Sequence, residues 1–268
     1  MIATTIESRS NSVGEAAFAT DVRLMGRLWR RHNRPMCPSQ LRFLALVLCG
    51  LAMMEPAPAG AQTAPTIAEA AAYTGLHAAA QRGQPAQLLV LAAAGTDLNA
   101  RDRSGRTPLH VATFARQREA IRALARVGAN MQLLDADRYD AVTIASVAGD
   151  EETLRLLLSL GASARLVTSR YAGTALIAAA HLGHDGVVRQ LIAADAPLDH
   201  INNLHWTAVI ESIVLGDGGS RHQRTLQALI GAKANLQLAD RQGQTPLALA
   251  RSRGYREMVQ MLEQAGAR

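Results

Sequence analysis

Residues 105–110 read GRTPLH, and residues 243–247 read GQTPL. A glycine turn, a Thr that caps a helix, a Pro suited to the first helical turn and an apolar residue together predict a tight turn leading into a helix. The same segment recurs with substitutions, aligned on Thr107, at Thr74, Asp140, Thr174, Thr207 and Thr245. The spacings are 33, 33, 34, 33 and 38 residues. A period of this length indicates a chain of stacked structural repeats.

Each copy continues into a second apolar segment that ends in a short turn, as in LRLLLSLGASA and LQALIGAKANL. Small Ala residues allow neighbouring helices to approach closely, and a Gly at the end of the second segment stops its helix. Aromatic residues make up only 3% of the chain, whereas hydrophobic residues make up 49%. This composition predicts thin, closely packed helices rather than the large core of a globular enzyme, which aromatic side chains usually fill.

The Thr-Pro-Leu-His phrase, the AAxxG segment and the LLxxGA ending resemble the ankyrin repeat, in register, over about residues 73–268. The resemblance implies an all-α solenoid of about six helix-turn-helix repeats with short β-hairpin fingers, formed by residues 74–268. Residues 62–73 are expected to add a short capping helix, because Thr66 and Glu69 have the spacing of a capping box.

Residues 41–61 have the organisation of a Sec signal peptide. An Arg-rich segment precedes an apolar stretch, 43–54, and the small residues 59–61 end it. We expect cleavage before Gln62, removal of residues 1–61, a periplasmic location and no membrane anchor in the mature chain. Both cysteines, Cys37 and Cys49, lie before this site, so the mature chain has no thiol for catalysis, disulfides or metal binding. The alternative is an apolar N-terminal helix of a cytoplasmic protein.

The ankyrin resemblance further implies that a concave face, built from hairpin tips and first helices, binds a protein partner. The positions on this face are Arg101, Arg103, Ser104, Arg106, Phe114, Tyr139, Tyr171, His181, Leu204, Trp206, Arg241, Gln242 and Gln244. The four aromatic residues form a predicted binding stripe, with Arg103 and Arg106 at its rim. The alternative is that Tyr139 and Tyr171 pack against neighbouring hairpins.

The 38-residue step contains a segment, LGDGGSRHQRT at residues 215–225, whose glycines predict a loop. Glu211 lies one turn before it. Its carboxylate is expected to accept hydrogen bonds from the amide groups of the loop or to pair with Arg221 or His222. In one interpretation Glu211 only holds the loop in place; in the other, Glu211 and Asp217 belong to a ligand pocket beneath it.

No motif for catalysis, phosphate binding or a cofactor occurs in the sequence, so we expect no enzymatic activity. His181 and His184 lie close together but lack further ligands at a fixed spacing, which argues against a metal site. His77 and His110 are expected to form hydrogen bonds within their own hairpins. The net charge of +6 is spread over charges of mixed sign, which disfavours nucleic acid as the partner.

Segments such as WTAVIESIVLGDGGSRH and GTALIAAAHLGH also resemble exported bacterial ankyrin proteins, some of which are associated with defence against peroxide. This resemblance implies an alternative role as a regulator or scaffold of oxidative-stress enzymes in the cell envelope.

Overall fold

The computed structural model describes residues 63–268, which form one stack of helix pairs after a short capping helix, α1 (Ile67–Ala72). The first helices of the six pairs are α2 (Gly75–Gln81), α4 (Pro108–Phe114), α6 (Ala141–Val147), α8 (Ala175–His181), α10 (Ala208–Val214) and α12 (Pro246–Ser252). The second helices are α3 (Pro85–Ala93), α5 (Arg118–Arg126), α7 (Glu151–Ser159), α9 (Asp185–Ala193), α11 (Ser220–Gly231) and α13 (Arg256–Gln264). First helices contact first helices along the stack, and second helices contact second helices. The predicted solenoid of six helical pairs is confirmed.

The residues used to align the six copies are the N-caps of the six first helices. In five of them the side chain accepts a hydrogen bond from the backbone N–H three residues later, which satisfies a free helix donor. Asp140 does so although its copy has lost the Thr-Pro-Leu phrase, with Oδ1 2.9 Å from the Thr143 nitrogen. Thr74 is the exception, because its side chain makes no such bond.

The core follows two apolar rows, one in each layer of helices. The second residue after the N-cap of each first helix is apolar and buried. These residues are Leu76, Leu109, Val142, Leu176, Val209 and Leu247. Each second helix contributes a Leu at one equivalent position, and Leu124, Leu157, Leu191, Leu229 and Leu262 are fully buried there. Because each repeat covers the apolar side of its neighbour, neither layer is buried by one repeat alone.

Between the pairs, the chain forms short hairpin tips. In the fourth repeat two strands, β1 (Val167–Thr168) and β2 (Gly173–Thr174), pair antiparallel, with Val167 opposite Thr174. The other tips close through two backbone bonds each, as from the Asp102 nitrogen to the Arg106 carbonyl and from the Gly105 nitrogen to the Asp102 carbonyl, both at 3.0 Å. The predicted hairpin fingers are thus present, but most are too short to form strands.

The capping helix α1 is held by polar contacts, since none of its residues is buried. The predicted capping box is present: Thr66 and Glu69 each accept the other's backbone N–H, at 3.1 and 2.8 Å. Glu69 also forms an ion pair at 2.8 Å with Arg106 of the second repeat. Arg106 donates from Nη1 to the Thr63 carbonyl as well. A charged network, rather than apolar packing, therefore attaches α1 to the stack.

A second set of polar contacts joins successive repeats behind the first helices. Three residues just before second helices each donate to a backbone carbonyl near the end of the first helix of the preceding repeat. They are Gln117, His184 and Tyr255. His184 Nδ1 is 3.1 Å from the Ser146 carbonyl, and Tyr255 Oη is 2.9 Å from that of Gly216. These side chains link the second, fourth and sixth repeats to the repeats before them.

His77 and His110 link the first and second repeats to the repeats that follow them. The Nε2 atom of His77 contacts the Arg106 carbonyl at 3.0 Å, and that of His110 contacts the Tyr139 carbonyl at 3.1 Å. The prediction that both residues bond within their own hairpins is wrong for His77 and incomplete for His110, because the hairpin of the next repeat lies directly over each ring. Only Nδ1 of His110 stays within its own repeat, where it accepts from the Thr107 N–H.

The insertion in the fifth repeat extends a helix as well as a loop. The connection between α10 and α11 is two residues longer than its counterpart in the fourth repeat, and α11 has 12 residues where α9 has 9. The prediction of a loop over residues 215–225 is therefore wrong from Ser220 onward. After the glycines, the segment Ser-Arg-His-Gln-Arg-Thr contains no helix breaker, and Gly219 serves as its N-cap.

The predicted signal peptide, including Cys37 and Cys49, lies outside the described residues. None of the helices within residues 63–268 has the length and apolar content needed to cross a membrane.

Candidate functional site

The hairpin tips form one continuous row. The backbone N–H groups of Ala136, Ser169 and Asn203 donate to carbonyls in the preceding tip, at 2.9–3.0 Å. Within the tips, Asp102, Asp135, Ser169, Asn202 and Asp240 accept hydrogen bonds from nearby tip amides. These bonds fix the tip backbones relative to each other. We call these tips, together with the C-terminal ends of the first helices, the hairpin face.

Six of the eight residues predicted to bind a partner are accessible on the hairpin face. Arg103 is exposed, and 38% of the surface of Leu204 is exposed. The other four, which are half-buried, are Phe114, Tyr171, His181 and Trp206. Tyr171 and Leu204 lie in neighbouring tips, which the Asn203 N–H joins to the Tyr171 carbonyl. The accessible aromatic side chains of the tips therefore lie in the fourth and fifth repeats.

The other two predicted residues are buried, which corrects their assignment to an exposed stripe. Arg106 is 1% exposed because its guanidinium points into the stack, between Asp102 and Glu69. Tyr139 is 8% exposed, because the side chain packs within the stack. The alternative, packing against a neighbouring hairpin, therefore describes Tyr139 better than Tyr171.

Two exposed leucines on the hairpin face were missed by the sequence analysis. Leu182 and Leu215 directly follow the ends of α8 and α10, and 36% and 44% of their surfaces are exposed. The equivalent residues in the second and third repeats are Ala115 and Ala148. The sequence does contain a signal for these two leucines, because at this position of the repeat a large apolar residue replaces a small one.

Glu211 is a buried carboxyl in the middle of α10, with 4% of its surface exposed. Its Oε1 accepts a hydrogen bond of 3.0 Å from the side chain of Asn202, in the hairpin tip of the same repeat. Its Oε2 has no hydrogen-bond partner among residues 63–268 and lies 3.8 Å from Nδ1 of His181. Glu211 therefore connects the hairpin tip of the fifth repeat to the end of α8.

Burial determines the protonation of this pair. Loss of contact with water raises the pKa of Glu211 to about 7, against the opposing effect of the Asn202 hydrogen bond. Burial, together with the nearby His222, lowers the pKa of His181. Because burial disfavours the charged form of both side chains, they do not form a permanent ion pair.

The expected pairing of Glu211 with Arg221 or His222 is wrong. The extra turn of α11 directs His222 toward Asp217 and the preceding repeat instead. Its Nδ1 is 2.8 Å from Oδ1 of Asp217, and its Nε2 is 2.9 Å from the His181 carbonyl. Asp217 also accepts the Gly219 N–H, and Arg221 is exposed at the start of α11. The loop is thus closed by its own residues, without Glu211.

The two closely spaced histidines have different environments. His184 contacts the Ser146 carbonyl through Nδ1, while His181 faces Glu211. Within residues 63–268, no group of three or more His, Cys, Asp or Glu side chains is arranged to hold a metal ion. A cavity of about 330 Å³ lies elsewhere, between the ends of α11 and α13, and is lined by Lys233, Leu236 and Gln237 among others.

Comparison with known proteins agrees with this architecture. A family model described as ankyrin repeats (3 copies) matches residues 60–136 and 76–169, and a single ankyrin repeat model matches residues 173–203. The chain is 40% identical over 100 residues to the ankyrin repeat protein YahD of Escherichia coli (strain K12). That match covers 37% of this chain and 50% of YahD, so the chain aligns with half the length of this curated relative.

Solved structures agree over a longer range. An ankyrin repeat domain from Acinetobacter baumannii AYE is 42% identical, with a TM-score of 0.68, over 72% of this chain and 98% of that one. The ankyrin repeat domain of Bcl-3, a member of the IkappaB family, is 25% identical, with a TM-score of 0.66, over 74% of this chain and 88% of that one. Repeats of this type are protein–protein interaction modules, and their fold is typically a non-enzymatic scaffold. The chain belongs to the ankyrin repeat family.

Proposed function

We propose that the protein is an exported, periplasmic module that binds a protein partner through the hairpin face and catalyses no reaction. The observation that carries the proposal is the group of accessible large side chains on two rigid neighbouring tips. Tyr171, Leu204 and Trp206 stand on backbone that is fixed by hydrogen bonds within and between tips. Aromatic side chains on a rigid support lose little conformational entropy on binding, and such residues are enriched at the energetic centres of interfaces.

The binding proposal is tested by capture from periplasmic extract. We expect Trp206→Ala and Tyr171→Ala to reduce recovery of a partner protein without changing helix content, because both side chains are accessible and lie outside the helices. Leu89→Ala, on second helix α3, is the matched control, since Leu89 is 36% exposed but lies in the other layer. Equal recovery by all three variants would contradict the proposal. Mass spectrometry of the captured protein also tests whether it is an oxidative-stress enzyme.

Export is tested with a reporter enzyme that is active only outside the cytoplasm, fused to the C-terminus of the chain. The apolar stretch at residues 43–54, the upstream arginines and the small residues at 59–61 support export. We expect reporter activity from the full chain and its loss when residues 43–54 are deleted. Activity that is the same with and without that stretch would contradict a periplasmic location.

A second candidate function is the binding of a small-molecule ligand beneath the connection between α10 and α11 in the fifth repeat. It is favoured by one observation: the buried Oε2 of Glu211 lacks a hydrogen-bond partner in the part of the chain that the structure describes. Buried polar atoms are rarely left unsatisfied, so a ligand group at this atom would complete the site. We expect a ligand of this kind to raise the melting temperature of the wild type but not of Glu211→Gln. If no metabolite of the envelope changes the melting temperature, this candidate is rejected.

A further inference from the structure

The exposed charges of the hairpin face are mostly positive, and many have no acidic partner. Within residues 63–268, no ion pair with an acid is formed by Arg82, Arg101, Arg103, Arg138, Arg241 or Arg253. All six are exposed. Each lies in a hairpin tip, beside one, or just after the end of a first helix.

The acids on the same face are already engaged. Asp102 is paired with Arg106 and accepts the Tyr73 hydroxyl at 2.6 Å, and Asp137 pairs with Arg170 at 3.0 Å. The Oδ1 atoms of Asp135 and Asp240 accept tip amides of their own hairpins. These contacts leave the unpaired arginines as the dominant accessible charges of the face.

The unpaired arginines lie in the first three repeats and in the sixth, and the apolar surface lies between these two groups. Arg103 belongs to the second repeat, whereas Arg241 and Arg253 belong to the sixth. Five of the eight exposed large apolar side chains in the described residues lie between Val167 and Leu215, in the fourth and fifth repeats. The hairpin face therefore has an apolar centre with basic flanks.

We propose that the partner presents an extended acidic segment, with Asp or Glu at both ends and apolar side chains in its centre. This inference rests on the proposed function and adds the chemistry of the partner. Opposite charges across an interface set its orientation and exclude wrong partners, while the apolar centre supplies most of the affinity.

The size of the face gives the length of the segment. Packed helices are separated by about 8–10 Å, so the four repeat steps from Arg103 to Arg241 span about 36 Å. An extended chain advances about 3.3 Å per residue, so about 11 residues reach from one basic flank to the other.

The apolar centre favours a protein segment over a nucleic acid. A nucleic acid carries a phosphate at every nucleotide, and its affinity depends mainly on neutralising those phosphates. Bound along this face, it would place phosphates on Leu182, Leu204 and Leu215, whose apolar side chains offer a phosphate no hydrogen bond. A protein segment can match both the charged flanks and the apolar centre.

The test is selection of binders to the full chain from a displayed library of random peptides of about 12 residues, the length needed to span the face. We expect enrichment of peptides with acids near both ends and apolar residues between them. The double variant Arg103→Glu, Arg253→Glu is expected to bind a selected peptide at least about tenfold more weakly, because both flanks are reversed. The matched control is Arg155→Glu, Arg256→Glu, which reverses two exposed arginines in second helices and is expected to bind as the wild type does.

The outcomes separate this inference from the function on which it rests. If peptides are enriched but are basic or show no charge preference, the acidic partner is rejected and protein binding stands. If no peptide is enriched, binding through the hairpin face fails as well. If single-stranded DNA of matched length displaces a selected acidic peptide at equal or lower concentration, the charged flanks serve nucleic acid and the inference is overturned.

Discussion

Oε2 of Glu211 lies 3.8 Å from Nδ1 of His181, which is too far for a hydrogen bond, although the carboxyl is buried. Burial without a second hydrogen-bond partner raises the free energy of the ionised form of this carboxyl. The relationship therefore ties the protonation of one residue in α10 to the stability of the fifth repeat and of the hairpin tip above it.

The first prediction concerns Glu211. Because burial raises its pKa from 4.5 to about 7, the folded state binds the proton more tightly than the unfolded state. The stability contributed by the protonated form is complete below about pH 4.5 and is lost as the pH rises through 7. A shift of this size corresponds to about 3 kcal/mol. We expect Glu211→Gln to gain stability relative to the wild type between pH 5 and pH 8, as measured by urea unfolding.

Glu257→Gln is the control for that experiment. Glu257 is exposed in the first turn of α13, and its replacement is not expected to change the pH dependence. If Glu211→Gln and the wild type keep a constant difference in free energy of unfolding over this range, the raised pKa is contradicted.

The second prediction concerns His110, in which burial lowers the pKa from 6.5 to about 4. The folded state therefore favours the neutral ring. The stability this gives is present above about pH 6.5 and is lost as the pH falls through 4, by about 3 kcal/mol in all. We expect His110→Gln to lose less stability than the wild type between pH 7 and pH 4.5, in unfolding followed by circular dichroism. His205→Asn, at an exposed tip residue, should parallel the wild type.

The third prediction compares two neighbouring arginines. Arg106→Ala removes a buried cation that contacts Asp102, Glu69 and the Thr63 carbonyl. Breaking a buried ion pair typically costs about 3–5 kcal/mol, because the remaining charge is left without a partner. We expect a loss of this order, together with faster amide hydrogen exchange in α1. Arg103→Ala, at an exposed site, should leave both unchanged, and equal effects in the two variants would refute the network.

The fourth prediction concerns the contacts between successive repeats. Tyr255→Phe removes only the hydroxyl that donates to the Gly216 carbonyl. We expect a loss of about 1 kcal/mol, the usual net contribution of one hydrogen bond. Tyr171→Phe is the matched control, because no hydrogen bond of the Tyr171 hydroxyl occurs within residues 63–268. Similar unfolding midpoints in urea for Tyr255→Phe and the wild type would argue against a stabilising link.

Most of the fold follows from the sequence because its signal is local and repeated. A Thr or Asp at each N-cap position, with an apolar residue two positions later, defines each first helix without knowledge of its neighbours. The spacing of successive copies then places the helices side by side. Where one copy is irregular, as at Asp140, the capping chemistry is kept by another side chain.

The accessibility of the candidate site residues could not be predicted in the same way. Arg106 is buried because α1 and Asp102 lie over it, and Tyr139 is buried within the stack. Burial at these positions depends on residues distant in the chain, whereas a repeat alignment compares only equivalent positions. The extra turn of α11 could not be predicted for a different reason. The glycines before it indicate a loop, although the residues from Ser220 onward are compatible with a helix.

The position of His222 also has a consequence for how a chain of repeats tolerates insertions. Although the fifth unit holds five more residues than its neighbour, the ring of His222 occupies the place that a residue before the helix fills in other units. The inserted segment thus supplies its own hydrogen bond to the preceding repeat, and the helices on both sides keep their contacts along the stack. An insertion at this junction is compatible with a continuous stack of repeats only when the inserted residues themselves form the hydrogen bond to the preceding repeat.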